Sequence, residues 1–487
     1  MERENAWKKY ETADLEALEE LSCGYLDFLT SCKTERECAA FGIREAEAHG
    51  YVSLEDAVRE GRALRPGSKV WAHAHGKALL LVHLGEKPLE QGMNILGAHI
   101  DSPRLDLKQN PLYEANDFAL LDTHYYGGIK AYQWVTLPLA IHGVVAKKDG
   151  SVVEIAVGER ADDPVFCVTD LLIHLAGKQM AKKASEVVEG EALDVLAGSR
   201  PLVVEGADDA GEAADGAAEG ASESEDAAAD AKKDPVKAYL LQILSERYGI
   251  EEEDFLSAEL EVVPAGAARE CGFDRSMILA YGQDDRVCAY PSLQAQLALG
   301  DTVPARTAAC ILVDKEEIGS VGATGMASCF FENAIAEIME LAGESGPLAL
   351  RRALASSRML SSDVSAGFDP AYASSFEVKN AAYLGRGLVF NKYTGSRGKS
   401  GSNDASAEYL ALVRRVMDEA GVAWQTAELG RVNEGGGGTI AYIPAKYGMD
   451  VVDAGVAVLS MHAPWEVTSK ADVYEAYQGY CAFLASE

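Results

Sequence analysis

The sequence predicts an α/β protein: a mixed-sheet α/β/α domain, discontinuous along the chain, with a mainly β domain inserted into it. Three observations predict this. Strand and helix patterns alternate toward both ends of the chain, while the middle is made of short β-like runs. That middle also holds a long acidic tract of low complexity. Finally, five apolar, strand-like runs in the outer parts each end in acidic or histidine residues. The expected boundaries are 1–105 with 260–487 for the outer domain and 106–259 for the insert.

The elements follow in order. Leu15, Leu18, Leu21 and Tyr25 recur at helical spacing after Thr12, and Thr34-x-x-Glu37 has the form of a capping box. Lys69–Ala74 and Ala78–His83 flank His75-Gly-Lys and read as a hairpin. Met93–His99 reads as a buried strand. In the insert, Gln133–Val145 and Val152–Val157 read as strands and Val168–Gln179 as a helix. Beyond it, Glu259–Val263, Ser276–Tyr281, Ala308–Val313 and Val456–Met461 read as strands. Ser292–Leu299, Phe330–Leu341 and Ser406–Ala420 read as helices.

Composition narrows the function. The chain has 487 residues, 48% of them apolar, and no apolar run of the roughly 20 residues that a membrane span needs. Its first residues lack the apolar core of a secretory signal, so a cytoplasmic protein is expected. A formal net charge of −33 argues against nucleic acid and anionic membranes as partners. Ten of the acids lie in the tract 205–230, which contains no Lys or Arg and buries too little apolar surface to fold. The nine cysteines form no C-x-x-C pair, which leaves no disulfide framework or thiolate zinc site in view.

The strand ends carry the chemistry, because sites in open α/β sheets lie beyond the carboxyl ends of strands. In Leu96-Gly-Ala-His99-Ile-Asp101, the His and Asp two residues apart point the same way and suit a metal-bound imidazole with a carboxylate behind it. Tyr281-Gly-Gln-Asp284-Asp285 offers a carboxylate able to bridge two cations. Asp314-Lys-Glu316-Glu317-Ile-Gly-Ser sets two carboxylates side by side, a repulsion relieved if one binds a metal and the other takes a proton. Ser361-Ser-Asp363-Val and Ser460-Met-His462-Ala complete the set. Singly, each string also fits a capped turn or a satisfied histidine. Together they offer imidazole and oxygen donors without thiolates, which suits a catalytic pair of zinc, manganese or cobalt ions.

These four strings at His99, Asp314, Ser361 and Ser460 resemble the aspartyl aminopeptidase and aminopeptidase I family of di-zinc peptidases, in order and over nearly the whole chain. The resemblance implies that His99 and Asp363 bind one metal, Glu317 and His462 the other, and that Asp284 bridges them. It implies that Asp101 orients His99 and that Glu316 is the general base. It also implies a metallopeptidase domain interrupted by a dimerisation or lid domain, homo-oligomers that build from dimers to dodecamers, and peptide substrates. Leu172-Ile-His174-Leu resembles a family string whose histidine reaches a neighbouring subunit's active site. Phe390-Asn-Lys392-Tyr-Thr-Gly resembles the substrate-pocket segment, where a lysine meets a substrate carboxylate. The following Ser396-Arg-Gly-Lys-Ser-Gly-Ser is closer to the bacterial aminopeptidase I branch, which does not imply strict acidic preference. Gly435–Gly438 is no phosphate loop, since no Lys-Ser/Thr follows. Two other readings share parts of this pattern: a two-metal deacylase or carboxypeptidase on small amides, and a non-enzymatic oligomeric scaffold. A serine hydrolase is disfavoured by the lack of a G-x-S-x-G elbow.

Overall fold

The computed structural model describes residues 3–203 and 233–487, so the acidic tract 205–230 lies outside the described residues. Two compact units emerge: Met1–Pro103 with Ala267–Glu487, and Arg104–Gly266.

The first unit is α/β and built on a nine-stranded mixed sheet. From one edge the strands run Val52–Ser53, Lys69–Ala74, Ala78–His83, Thr307–Val313, Met93–His99, Arg358–Ser361, Asp450–Gly455, Leu388–Asn391 and Trp424–Thr426. The four from Thr307–Val313 to Asp450–Gly455 are mutually parallel. Both Met93–His99 and Thr307–Val313 are buried along their whole length, the mark of strands covered on both faces. Alternate side chains feed two cores. Leu96, Ala98, Cys310 and Leu312 pack with helices Thr12–Ser31, Glu35–Ala48, Gln283–Ala298, Ala407–Glu419 and Lys470–Ala485. Ile95, Ile311 and Val313 pack on the other face with Leu54–Glu60, Phe330–Leu341 and Ala349–Ala355. Each such buried Leu or Ile contributes about 2 kcal/mol relative to exposure.

Local chemistry sets the element ends. The Thr34 hydroxyl accepts from Glu37 N at 3.2 Å while the Glu37 carboxylate accepts from Thr34 N at 2.9 Å, closing a capping box. His75 and Gly76, at φ 51° and 67°, make the tight turn between Lys69–Ala74 and Ala78–His83. A second, five-stranded sheet in this unit runs Arg269–Cys271, Met277–Ala280, Glu466–Ser469, Ala457–Leu459 and Ser365–Ala366.

The second unit is mainly β. Its seven strands are ordered Val152–Val157, Leu139–Ala146, Ala258–Pro264, Arg104–Ala115, Phe118–Tyr126, Val195–Gly198 and Cys167–Val168, and every pairing is antiparallel. Asn116 and Asp117, at φ 50° and 61°, supply the two-residue hairpin turn. Two expectations fail here. The run from Gln133 is not one strand: a 3-10 turn covers Ala131–Gln133 and the strand starts at Leu139, after Pro138, which cannot donate to a ladder. The segment from Val168 to Gln179 is not a helix but a succession of turns, with Leu171, Leu172, Ile173 and Leu175 exposed. A helix there would have no buried face within this unit to pack.

Candidate metal centre

Three parallel strands in the middle of the large sheet deliver side chains beyond their carboxyl ends. Val313 pairs with His99, and Ser361 pairs with Gly97 two residues before it. Asp101, Glu316, Glu317 and Asp363 therefore follow neighbouring strand ends. Lys315, in the left-handed region at φ 69°, turns the chain into the short helix Glu316–Ile318. Asp284 and His462 come from the smaller sheet, after Met277–Ala280 and Ala457–Leu459. The five strand ends thus belong to two sheets rather than one, a division that apolar character alone does not encode. Gly282, at φ +69°, makes the turn into Asp284; a Cβ there would meet an Arg286 guanidinium nitrogen at 1.8 Å, so only glycine fits.

Asp284 stands at the middle. Its Oδ1 lies 3.2 Å from Nε2 of His99, and its Oδ2 lies 3.3 Å from Nε2 of His462. Glu317 Oε2 is 3.6 Å from that same His462 nitrogen. Ligand atoms of His99, Asp284 and Asp363 lie within 4.8 Å of one another, as do those of Asp284, Glu317 and His462, and those of His99, Glu316 and Glu317. Behind His99, Nδ1 lies 3.2 Å from Asp101 Oδ1 and 3.0 Å from the Asp101 carbonyl oxygen. The two Asp101 carboxylate oxygens accept from Glu316 N and Glu317 N, each at 3.2 Å. Asp285 accepts from His99 N at 3.3 Å.

The electrostatics call for cations. Like charges about 4 Å apart repel by about 4 kcal/mol at an effective dielectric of 20. Burial pushes Glu317 and Asp363 well up, with Asp284 adding to the first and Glu316 to the second. Burial likewise brings Glu316 up to about 7, against the pull of His99. Burial works against a charged His99, but its contacts with Asp101 and Asp284 outweigh it and hold the imidazole well above its ordinary value. Asp284 is held below the carboxylate range because His462 and His99 outweigh its burial. Glu317 Oε1 is buried without a hydrogen-bond partner. Oxygen donors, two imidazoles and an orphaned carboxylate oxygen form a donor set that fits divalent metal.

The remaining sequence candidates are not among these ligand groups. Lys392 is half-buried with its Nζ on Asp404, whose other oxygen takes Lys399 Nζ at 3.0 Å. His174 belongs to the second unit and is exposed among its turns. Of the buried acids that escaped the sequence reading, two bear on this region. Asp453 pairs in register with Ser361 and Asn391 within the sheet, and burial pushes it up to about 7. Glu466 accepts from Asp284 N at 3.0 Å and from His462 N at 2.7 Å. The signal for Glu466 was slight: one acid four residues after His462.

Residues 28–484 match the family model described as aminopeptidase I zinc metalloprotease (M18). The chain is 56% identical over 483 residues to the probable M18 family aminopeptidase 1 of Clostridium acetobutylicum, covering 99% of this chain and 98% of that one. The crystal structure of an M18 family aminopeptidase from Thermotoga maritima superposes with a TM-score of 0.89 at 43% identity, covering 99% of each chain. The S. cerevisiae mApe1 dodecamer shares the fold at 19% identity and a TM-score of 0.73, over 96% of each chain. The chain belongs to the M18 family of aminopeptidase I zinc metalloproteases, and with it to the metal-dependent aminopeptidases.

Proposed function

We propose that the enzyme removes single residues from peptide N-termini at a dinuclear centre, with Glu316 as general base. The observation that carries this reading is Asp284, whose two oxygens face His99 and His462 on opposite sides at 3.2 and 3.3 Å. A shared carboxylate between two imidazoles suits a pair of ions better than one. His99 and Asp363 would hold the first, Glu317 and His462 the second. Zinc is the first choice, and manganese or cobalt suits the same donors. Bound there, divalent ions lower the pKa of a water toward neutrality and polarise the scissile carbonyl. Glu316, next to the candidate ligand Glu317, accepts the proton of the attacking water and returns it to the leaving amine. Asp101 fixes the His99 ring and, through the Glu316 and Glu317 amides, the turn that carries the base.

Lys392 contributes to the pocket for the substrate's first side chain. Because Asp404 engages it, a neutral first residue is accepted alongside acidic ones. The insert 106–259 acts as a dimerisation or lid domain in a homo-oligomer that builds from dimers to dodecamers. Exposed Leu172, Ile173 and Leu175 around His174 suit burial against another subunit, where His174 completes the neighbour's site. Among the described residues no helix is long and apolar enough to cross a membrane, and all nine cysteines are free, as suits a reducing cytoplasm.

The test is release of free amino acid from X-Ala-Ala peptides with free or blocked N-termini, after chelation and after zinc, manganese or cobalt is restored. Metal-restored cleavage of the unblocked set alone supports the reading. Cleavage of blocked peptides, or of small acylated amides alone, overturns it.

A further inference from the structure

The geometry points to Glu466 as a positioning residue that sets the relative placement of the bridging Asp284 and the ligand His462, and so the affinity of the ion on the His462 side. This rests on the dinuclear reading above. Glu466 is 1% exposed and opens the strand Glu466–Ser469, where it pairs with Ala280 of the strand that leads into Asp284. Its backbone oxygen accepts from Gln283 Nε2 at 2.7 Å. Gln283 Nε2 also donates to the Ile278 oxygen at 3.2 Å, so the base of Glu466 is anchored to the Asp284 arm.

From this anchor the carboxylate faces two donors at once. Oε2 accepts from Asp284 N at 3.0 Å and Oε1 accepts from His462 N at 2.7 Å. The second contact has a conformational cause. Ser460 and His462 both lie in the left-handed region, at φ 59° and 65°, a costly arrangement for residues with a side chain. The short bond to Glu466 helps to hold that turn and aims the imidazole at Asp284 Oδ2. The strand Glu466–Ser469 already joins the two arms through its ladders with Met277–Ala280 and Ala457–Leu459, and the Glu466 side chain extends that link to the two residues at the centre. The arrangement requires an acceptor at both oxygens. Glutamine keeps the length but turns an NH2 toward one of the amides, a donor facing a donor. Aspartate keeps both acceptors but withdraws them by one carbon–carbon bond. Of the two ions, the one held by Asp284, Glu317 and His462 depends on both tethered residues. The one held by His99, Asp284 and Asp363 depends on one.

The experiment is a zinc titration of chelator-stripped, full-length wild type, Glu466→Gln and Glu466→Asp against a chromophoric competitor that resolves two affinities. Circular dichroism and the melting temperature of each stripped protein are recorded alongside. The expected result is a 10- to 100-fold loss of affinity for one of the two ions in Glu466→Gln, with the other changed by less than about threefold. In parallel, kcat falls at limiting zinc, recovers in part at excess zinc, and KM stays nearly constant. Glu466→Asp, which keeps both acceptors, follows the same direction and decides the matter if Glu466→Gln does not fold. Two unchanged affinities, or equal loss at both ions together with a lowered melting temperature, overturn the proposal. Wild type binding a single zinc ion overturns the dinuclear reading itself, a failure visible before any variant is compared.

Discussion

Oδ1 of Asp101 lies 3.2 Å from Nδ1 of His99. The same carboxylate accepts from the Glu316 and Glu317 amides, so one residue orients a candidate ligand and carries the turn that bears Glu316, the proposed base. An asparagine here has one acceptor oxygen for two amides and leaves a buried N–H unpaired, at about 1–3 kcal/mol. Asp101→Asn is therefore expected to lower kcat/KM and metal affinity by about 10- to 100-fold while the fold persists. Steady-state kinetics and metal titration of the same preparation check this. Unchanged values in both remove Asp101 from the site.

Specificity turns on Lys392 and Asp404. Their ion pair is part-exposed, and such pairs are worth about 0.2–1 kcal/mol. Asp404→Asn releases part of the lysine's charge, and peptides with an N-terminal Asp or Glu are expected to gain about two- to fivefold in kcat/KM over those with Leu. A competition assay on mixed peptides reads this ratio. A ratio that stays constant places Lys392 away from the substrate side chain.

Much of this arrangement was legible in the sequence. The hairpin Lys69–His83 could be read because apolar residues recur in both strands around a three-residue turn that tolerates positive φ. The capping box at Thr34 and the helix Phe330–Leu341 were legible because local chemistry and apolar period decide them. What escaped depends on partners distant in the chain. The leucines at 171, 172 and 175 imitate a helical face but lie exposed in turns, since helix formation needs a surface to pack on. Gln283–Ala298 is helical well before Ser292, through Val287 and Cys288, while Asp284 and Asp285 near its start depart from helical backbone and are held by buried polar contacts. Glu466 is one acid among 77 Asp and Glu residues, and only the meeting of two strands gives it a role.

Asp453 gives the molecule a pH signature. Buried in the sheet, its carboxyl is pushed up to about 7, against an unfolded value of about 3.9. Between those values the folded state holds a proton that the unfolded state has lost, so stability is greatest at the acid end and declines as pH rises from about 4 to about 7. Asp453→Asn removes this contribution. The variant is expected to unfold with a flatter pH dependence from pH 5 to 7 and to be more stable than wild type at pH 8, by on the order of 2 kcal/mol. Urea unfolding across pH decides this. Parallel curves for the two proteins mean that the Asp453 carboxyl is not the cause.

The most direct test of the dinuclear mechanism is the turnover of Glu316→Gln at full metal loading. Glutamine keeps the length and hydrogen-bonding reach of the base but cannot accept the water's proton. With two ions bound per chain, as measured by elemental analysis, kcat on an unblocked peptide is expected to fall by about 10²- to 10⁴-fold, with KM little changed. Turnover near the wild-type rate in that fully loaded variant contradicts Glu316 as the base.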